Sequence, residues 1–279
     1  QEFGIPWVAD YRDPWTQPTS LGIPPRFAVY YLVSRFIERS TMRTAGSLIH
    51  INEPLAAGLS SMLSCKVRVI PNGYDPEQFD TYRGRVSKQP PFTISFVGTL
   101  HADTNPHVFF EGFRMFVNRR NLAPTDCRAS FTGDGFWGVK EEYRQFDEIK
   151  SFVSLDVAVP QDQAVERMCS AHVLLLFPLD MDGCTPAKTF EYLASGRPIL
   201  VTPGGKHRGA IKDILKRAGT GLVVDSAEEV AQWLDIRYGE FQRTGEVSSA
   251  ADSRYVAQYS RKEQTRRVAE ILDALSMGQ

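Results

Sequence analysis

The chain has 279 residues, 42% of them hydrophobic, and its 32 Lys and Arg against 33 Asp and Glu leave a formal charge of -1. That apolar content supports a core for one large domain or two ordinary ones, and the balanced charge excludes a global basic field for nucleic acid. No apolar run approaches the roughly 20 residues that span a bilayer, and no charged n-region and apolar h-region open the chain, so it reads as soluble or peripheral.

Cys65, Cys127, Cys169 and Cys184 are widely spaced, with no C-x-x-C pair and no His cluster at metal-ligand spacing. This pattern fits buried thiols in a reducing, cytoplasmic compartment.

In chain order, Ile5 to Ala9 reads as a strand already under way with nothing ahead of it to pair against, so the chain is expected to be a fragment. A strand at Trp7 to Asp10 is followed by a long helix around Pro25 to Ala45, a strand at Ser47 to Ile51, a helix at Pro54 to Leu63 and a strand at Lys66 to Ile70. These make a partial amino-terminal domain over residues 1–82. Gly84, Lys88, Pro90 and Pro91 mark a linker at 83–91.

From there to residue 250, short apolar runs alternate with helical periodicity, the grammar of a doubly wound α/β domain with a parallel sheet. Strands are expected at Thr93 to Leu100, Cys127 to Gly133, Phe152 to Val159, His172 to Pro178, Pro198 to Thr202 and Gly221 to Val224. Helices are expected at Pro106 to Arg120, Val139 to Lys150, Gln163 to Ser170, Ala187 to Ser195, Arg208 to Arg217 and Ala227 to Phe241. The carboxy-terminal segment 251–279 holds a helix at Tyr259 to Leu275, with Val268, Ile271, Leu272 and Leu275 on one face, available to pack back on the first domain.

The sharpest chemistry lies between Phe177 and Leu200. A buried strand ends at Pro178, an Asp- and Gly-rich loop follows, and Thr185 with Pro186 reads as an N-cap and N1 pair opening a helix. Free N–H groups and the positive end of the helix dipole favour an anion there, and Lys188 adds a formal charge. The crevice of an open α/β sheet lies at the carboxyl ends of its strands, where this loop falls. Glu191 is either a carboxylate for two ribose hydroxyls or a solvated helix glutamate. Arg12 and Asp13, after the first strand, make either a functional pair or a local peg. Arg35, Arg39 and Arg43 share a helical face, which is either solvated or a seat for anionic lipid headgroups.

The run Pro-Ala-Lys-Thr-Phe-Glu-Tyr-Leu-Ala-Ser-Gly-Arg-Pro-Ile-Leu, ending at Leu200, resembles the donor-site motif of family 4 retaining glycosyltransferases. Val69-Ile-Pro-Asn-Gly-Tyr-Asp75 resembles that family's interdomain strand and turn, and Phe96-Val-Gly-Thr-Leu100 its first donor-domain strand and glycine turn. Trp7-Val-Ala-Asp-Tyr-Arg-Asp-Pro-Trp15 is similar to a segment of bacterial polysaccharide members.

The resemblance implies a GT-B fold with a complete Rossmann-like donor domain and the second half of an amino-terminal one. The first four strands, with a glycine-rich loop and much of the acceptor site, would be missing, leaving the chain inactive alone. It implies transfer of a hexose, with retention, from a UDP- or GDP-sugar to the hydroxyl of a saccharide or lipid-linked acceptor, in bacterial polysaccharide or glycoconjugate synthesis. Peripheral contact with the inner membrane face goes with such an acceptor.

Glu191 would hold the ribose. Gly98, Thr99, His101, Gly133, Val159, Asp182, Gly183, Cys184, Thr185, Pro186 and Lys188 would surround the donor, with Arg12, Asp13 and Lys188 at the reacting centre. The departing diphosphate would be stabilised by fixed donors, so no metal or other cofactor is expected. Two departures stand out. Gly183 occupies the position of the family's other glutamate, leaving Asp182 or Asp180 to meet the sugar, and Thr99 to Asn105 offers His101 where the family has Arg and Lys. These departures favour one alternative, a degenerate nucleotide-binding or scaffold module; a nucleotide-sugar epimerase of the same two-domain architecture is a second.

Overall fold

The computed structural model describes residues 5–16, 28–83, 91–100, 104, 106–135, 142–178, 185–203 and 209–277. The chain forms two compact units, a smaller one from Gln1–Gly73 with Gln258–Gln279 and a larger one from Tyr74–Asp180 with Thr185–Ala257. The units thus part at Gly73 and Tyr74, ahead of the linker expected at 83–91, of which 84–90 lie outside the described residues.

In the smaller unit, β1 (Val8–Tyr11), β2 (Ser47–His50) and β3 (Val67–Val69) form a parallel sheet in sequence order. Helices α1 (Ala28–Met42) and α2 (Glu53–Leu63) make the crossovers. Asn52 starts α2 by accepting the Leu55 N–H, with Pro54 in the first turn, and Ser64 ends it in the left-handed conformation. Alternation along β2 then divides two packing layers. Leu48 faces Leu59 and Leu63 of α2 together with Ala9 and Tyr11, while Ile49 and Ile70 face Ile271 of the last helix, Arg261–Met277. Val268 and Leu275 join that second layer, whereas Leu272 is exposed, so the expected apolar face narrows to three residues. Gln264 and Arg267 donate to the carbonyls of Pro71 and Val69 at 2.7 Å each, tying this helix to the end of β3.

The larger unit begins with the one-turn α3 (Pro76–Asp80), capped by Asp75. Its six parallel strands are β4 (Phe92–Thr99), β5 (Cys127–Asp134), β6 (Val153–Asp156), β7 (Val173–Leu176), β8 (Ile199–Val201) and β9 (Leu222–Val223). Their spatial order is β6-β5-β4-β7-β8-β9, which is 3-2-1-4-5-6 within the unit. Between them run α4 (His107–Arg120), α5 (Gln161–Ser170), α6 (Lys188–Ser195), α7 (Gly209–Ala218) and, after β9, α8 (Ala227–Thr244) and α9 (Ser253–Ala257). Helix α4 brings Phe109, Phe110, Phe113 and Phe116 into one core with Phe92, Phe131, Trp233 and Phe241. Each of these large aromatic side chains buries a large apolar area in this core.

Three expectations are corrected. Of the helix expected from Val139 to Lys150, the described part keeps helical residues at Glu142 and Tyr143, followed by a turn and a short 3₁₀ helix, Asp147–Phe152, which takes Phe152 out of the next strand. That strand ends at Asp156, because Val157 is exposed and Pro160 has no N–H for a ladder. Cys127 and Cys169 are buried, as small hydrophobes should be, but Cys65 is exposed, and Cys184 lies outside the described residues.

Candidate functional site

A 3-2-1-4-5-6 sheet reverses its strand order between its first and fourth strands, here β4 and β7, and ligands of such sheets bind at the carboxyl ends of that pair. The two strands are paired only at Ile94 with Val173 and Ser95 with Leu174, whereas β4 pairs with β5 along all eight residues. Beyond Ser95 the Val97 peptide therefore faces a gap. The fully buried Tyr192 of α6 fills it, accepting from the Val97 N–H at 2.9 Å and donating to the Val97 carbonyl at 3.3 Å. Burial pushes the Tyr192 phenol up, so it keeps the proton that this second bond needs. One hydroxyl thus locks the first turns of α6 against the end of β4.

The strand ends beside it need glycine. Gly98 and Gly133 are register partners, and a Cβ on Gly133, at φ +140°, would overlap the carbonyl oxygen of Gly98. A Cβ on Gly98 would sit 3.4 Å from Lys188 Cε, so the bare Gly98 backbone is what the lysine stem passes over. Thr99 follows at the strand end, paired with Asp134.

Helix α6 starts later than the sequence suggests. Its N-cap is Ala187, with no side-chain cap, and Thr185 and Pro186 precede it as half-buried coil. The Thr189 and Phe190 N–H groups donate to Pro186 and Ala187 in a tight first turn. An uncapped helix start, aimed from the switch point, retains the dipole and backbone donors that suit an anion. Lys188 Nζ lies 2.5 Å from Glu191 Oε2, one turn on, with the two side chains 30% and 17% exposed. A cation and a carboxylate acceptor thus share one rim, next to the Gly98 backbone.

Val159 lies in the coil after β6, half-buried. His101, Asp182, Gly183 and Cys184 lie outside the described residues, as does Asp180. A polar groove of about 450 Å³ opens elsewhere on this unit, reaching Thr93 and Ser95 rather than Gly98 and Thr99. In it Arg167 donates to Thr132 and Asp156 at 2.6 and 2.7 Å.

In the smaller unit, Arg12 pairs with Asp10 rather than Asp13, through bonds of 2.9 and 2.5 Å, and reaches Asn72 Oδ1 at 3.4 Å. Residues two apart on a strand end point the same way, and that makes Asp10 the partner. Asp13 is exposed. No group of three or more His, Cys, Asp or Glu able to hold a metal occurs among the described residues.

No family model matches the chain, and no curated protein matches it in sequence. Solved structures do match in fold. HepE of Anabaena, solved with UDP and glucose, superposes at a TM-score of 0.64 and 16% identity, over 96% of this chain and 71% of that one. Sucrose-phosphate synthase of Thermosynechococcus elongatus superposes at 0.65 and 12% identity, over 98% and 68%. The pneumococcal O-GlcNAc transferase GtfA, solved with UDP and GlcNAc, superposes at 0.58 and 11% identity, over 86% and 47%. The chain has a GT-B fold. Both of its sheets are parallel, and the larger unit of this GT-B chain carries the full Rossmann strand order.

Two residues escaped the sequence reading. Tyr192 stood inside the motif as one more aromatic, and only the divergence of β4 from β7 gives its hydroxyl a task. His50, at the end of β2 beside Tyr11, is fully buried, stacks on that ring with centroids 6.0 Å apart and accepts the Ile51 N–H at Nδ1. Burial lowers its pKa, and its Nε2 has no hydrogen-bond partner among the described residues. A lone histidine in an apolar strand gave no signal to find it by.

Proposed function

We propose that this chain belongs to a glycosyltransferase that takes a sugar from a UDP- or GDP-sugar and passes it, with retention, to a hydroxyl of a saccharide or lipid-linked acceptor. The observation that carries the reading is the switch-point rim, where the uncapped start of α6 presents Lys188 and Glu191 beside the bare backbone of Gly98. Of the three solved proteins of like fold named above, two bear UDP together with glucose or GlcNAc. Glu191 accepts the ribose hydroxyls. Lys188, released from Glu191 by that exchange of partners, turns with the helix start to the diphosphate.

Leaving-group charge is stabilised by fixed donors at Lys188, Gly98 and Thr99, with Thr185 and Pro186 shaping the approach; Gly133 and Val159 flank the base. By likeness to family 4, His101, Asp182, Gly183 and Cys184 are assigned to the donor site. By the same likeness, Arg12 and Asp13 are assigned to the acceptor-side unit, Arg12 as a cation and Asp13 as the residue that orients the acceptor. Retention rests on the likeness of the Pro186 to Leu200 segment to family 4, and the setting of bacterial polysaccharide synthesis on that of the Trp7 to Trp15 segment to its bacterial polysaccharide members. No metal takes part in this scheme. Calorimetric titration with UDP, GDP and ADP in excess EDTA tests it. Selective binding of UDP or GDP is expected, and binding that requires a divalent cation would refute the metal-free scheme.

A further inference from the structure

Part of one face of the larger unit's sheet is open and polar. Parallel sheets are ordinarily covered by helices on both faces. Here α4 packs the aromatic core against one face, while on the other α5 packs on β4 and leaves β5 and the edge strand β6 only partly covered, with Arg128 exposed and Ser130, Ser154 and Asp156 half-buried. Alternation and register turn this face into a lattice. Ser95, Ser130 and Ser154 are register partners across β4, β5 and β6, so three hydroxyl-bearing residues stand in one row at about 4.8 Å from strand to strand. Two residues back along the strands, about 6.6 Å away, Thr93 pairs with Arg128, and two residues on, Thr132 pairs with Asp156. With Arg167 and Ser170 of α5 as a wall, this face floors the groove of about 450 Å³ described above. The lining lies wholly within the larger unit, whose Rossmann sheet has all six strands.

The chemistry of the lining selects its occupant. Ser95 is only 6% exposed, yet it lines the groove and its hydroxyl has no hydrogen-bond partner among the described residues, and neither have those of Ser130 and Ser154. Buried hydroxyls are ordinarily bonded, so the partners of this row come from outside the chain. Arg128, without an ion pair among the described residues, stands on one side of the row, and Asp156, held by Arg167 at 2.7 Å, stands on the other. Two guanidiniums against one carboxylate leave the groove positive. No aromatic or large aliphatic side chain lines it, so neither a nucleobase nor an apolar helix has a surface to rest on. We propose that this groove binds a small hydroxyl-rich anion, a sugar phosphate or a uronic acid, with the phosphate or carboxylate on Arg128 and the sugar hydroxyls along Ser95, Ser130 and Ser154. An arginine fork matches either anion, and the volume is that of a small-molecule site. The groove does not reach Gly98 or Thr99, and its ligand is independent of the reading of Lys188 and Glu191.

The test is calorimetric titration of the full chain with glucose 6-phosphate and with glucuronate, beside neutral glucose and inorganic phosphate, at about 0.05 M salt. A sugar anion is expected to bind, the tighter of the two assigning phosphate or carboxylate to Arg128, with glucose and inorganic phosphate at least about tenfold weaker. Arg128→Gln should weaken binding about 10- to 100-fold and Ser95→Ala about 3- to 10-fold, both with unchanged thermal unfolding because neither side chain bonds to the fold. Lys188→Ala should leave it unchanged. No binding of either sugar anion at about 10 mM, equal affinity for glucose or inorganic phosphate, or binding that Arg128→Gln leaves intact overturns the proposal. So does binding that only Lys188→Ala abolishes, which would place the anion at the start of α6.

Discussion

Replacing Tyr192 by Phe removes one oxygen and leaves the ring volume, so its effect isolates the two bonds to Val97. The ring is fully buried, and β7 offers the Val97 peptide no partner because the β4–β7 ladder ends at Ser95 and Leu174. Losing the hydroxyl strands a buried N–H, at about 1–3 kcal/mol, and removes a donor from the carbonyl as well, so a loss of about 2–3 kcal/mol is expected. For a unit of this size that is a fall in Tm of about 4–12 °C. Urea and thermal unfolding followed by circular dichroism measure the loss, and amide exchange at Val97 localises it. Because Tyr192 fixes the turn that bears Lys188 and Glu191, nucleotide affinity should fall with it. A Tm within about 1 °C of the parent, with Val97 still protected, would refute the account of the switch point.

Gly133→Ala should destabilise the larger unit by more than about 2 kcal/mol, since the new Cβ meets backbone, the Gly98 carbonyl, and the φ of +140° is closed to it. An urea midpoint equal to the parent's would show that β4 and β5 are not held so close. His50 sets a pH dependence. Burial lowers its folded pKa below the value near 6.5 of an unfolded histidine, so the unfolded chain binds the extra proton first. The stability His50 contributes is therefore complete above about pH 6.5 and is lost as pH falls through it. The stability gap between the parent and His50→Asn should shrink from pH 7.5 to 5.5, and a constant gap would contradict the assignment.

Much of this fold is legible in the sequence because burial on both faces of a parallel sheet writes each strand as a short apolar run. Val173 to Leu176 and Ile199 to Val201 are fully buried and stand out for that reason. Edges are less legible. Nothing in Phe152 to Val159 announces that Phe152 closes a 3₁₀ turn or that Val157 faces solvent. At the candidate site, Lys188 and Glu191 were found through a motif, whereas Tyr192 acts through a strand divergence that only the tertiary order creates. Arg12 was read with its sequence neighbour Asp13, although strand geometry favours Asp10 at i−2. In α1 the arginine row was visible as periodicity, but which side is buried depends on Tyr11 and Thr16, distant partners of Glu38.

The central claim is that Glu191 holds the ribose of a nucleotide at the start of α6. Calorimetric affinity of Glu191→Gln for whichever nucleotide the parent binds best tests it most directly. Loss of a charged acceptor of two hydroxyls predicts a weakening of about 1–3 kcal/mol, or about 5- to 150-fold in Kd, in a chain whose unfolding curve is unchanged. Equal affinity of the variant and the parent would contradict the claim and move the nucleotide away from Glu191.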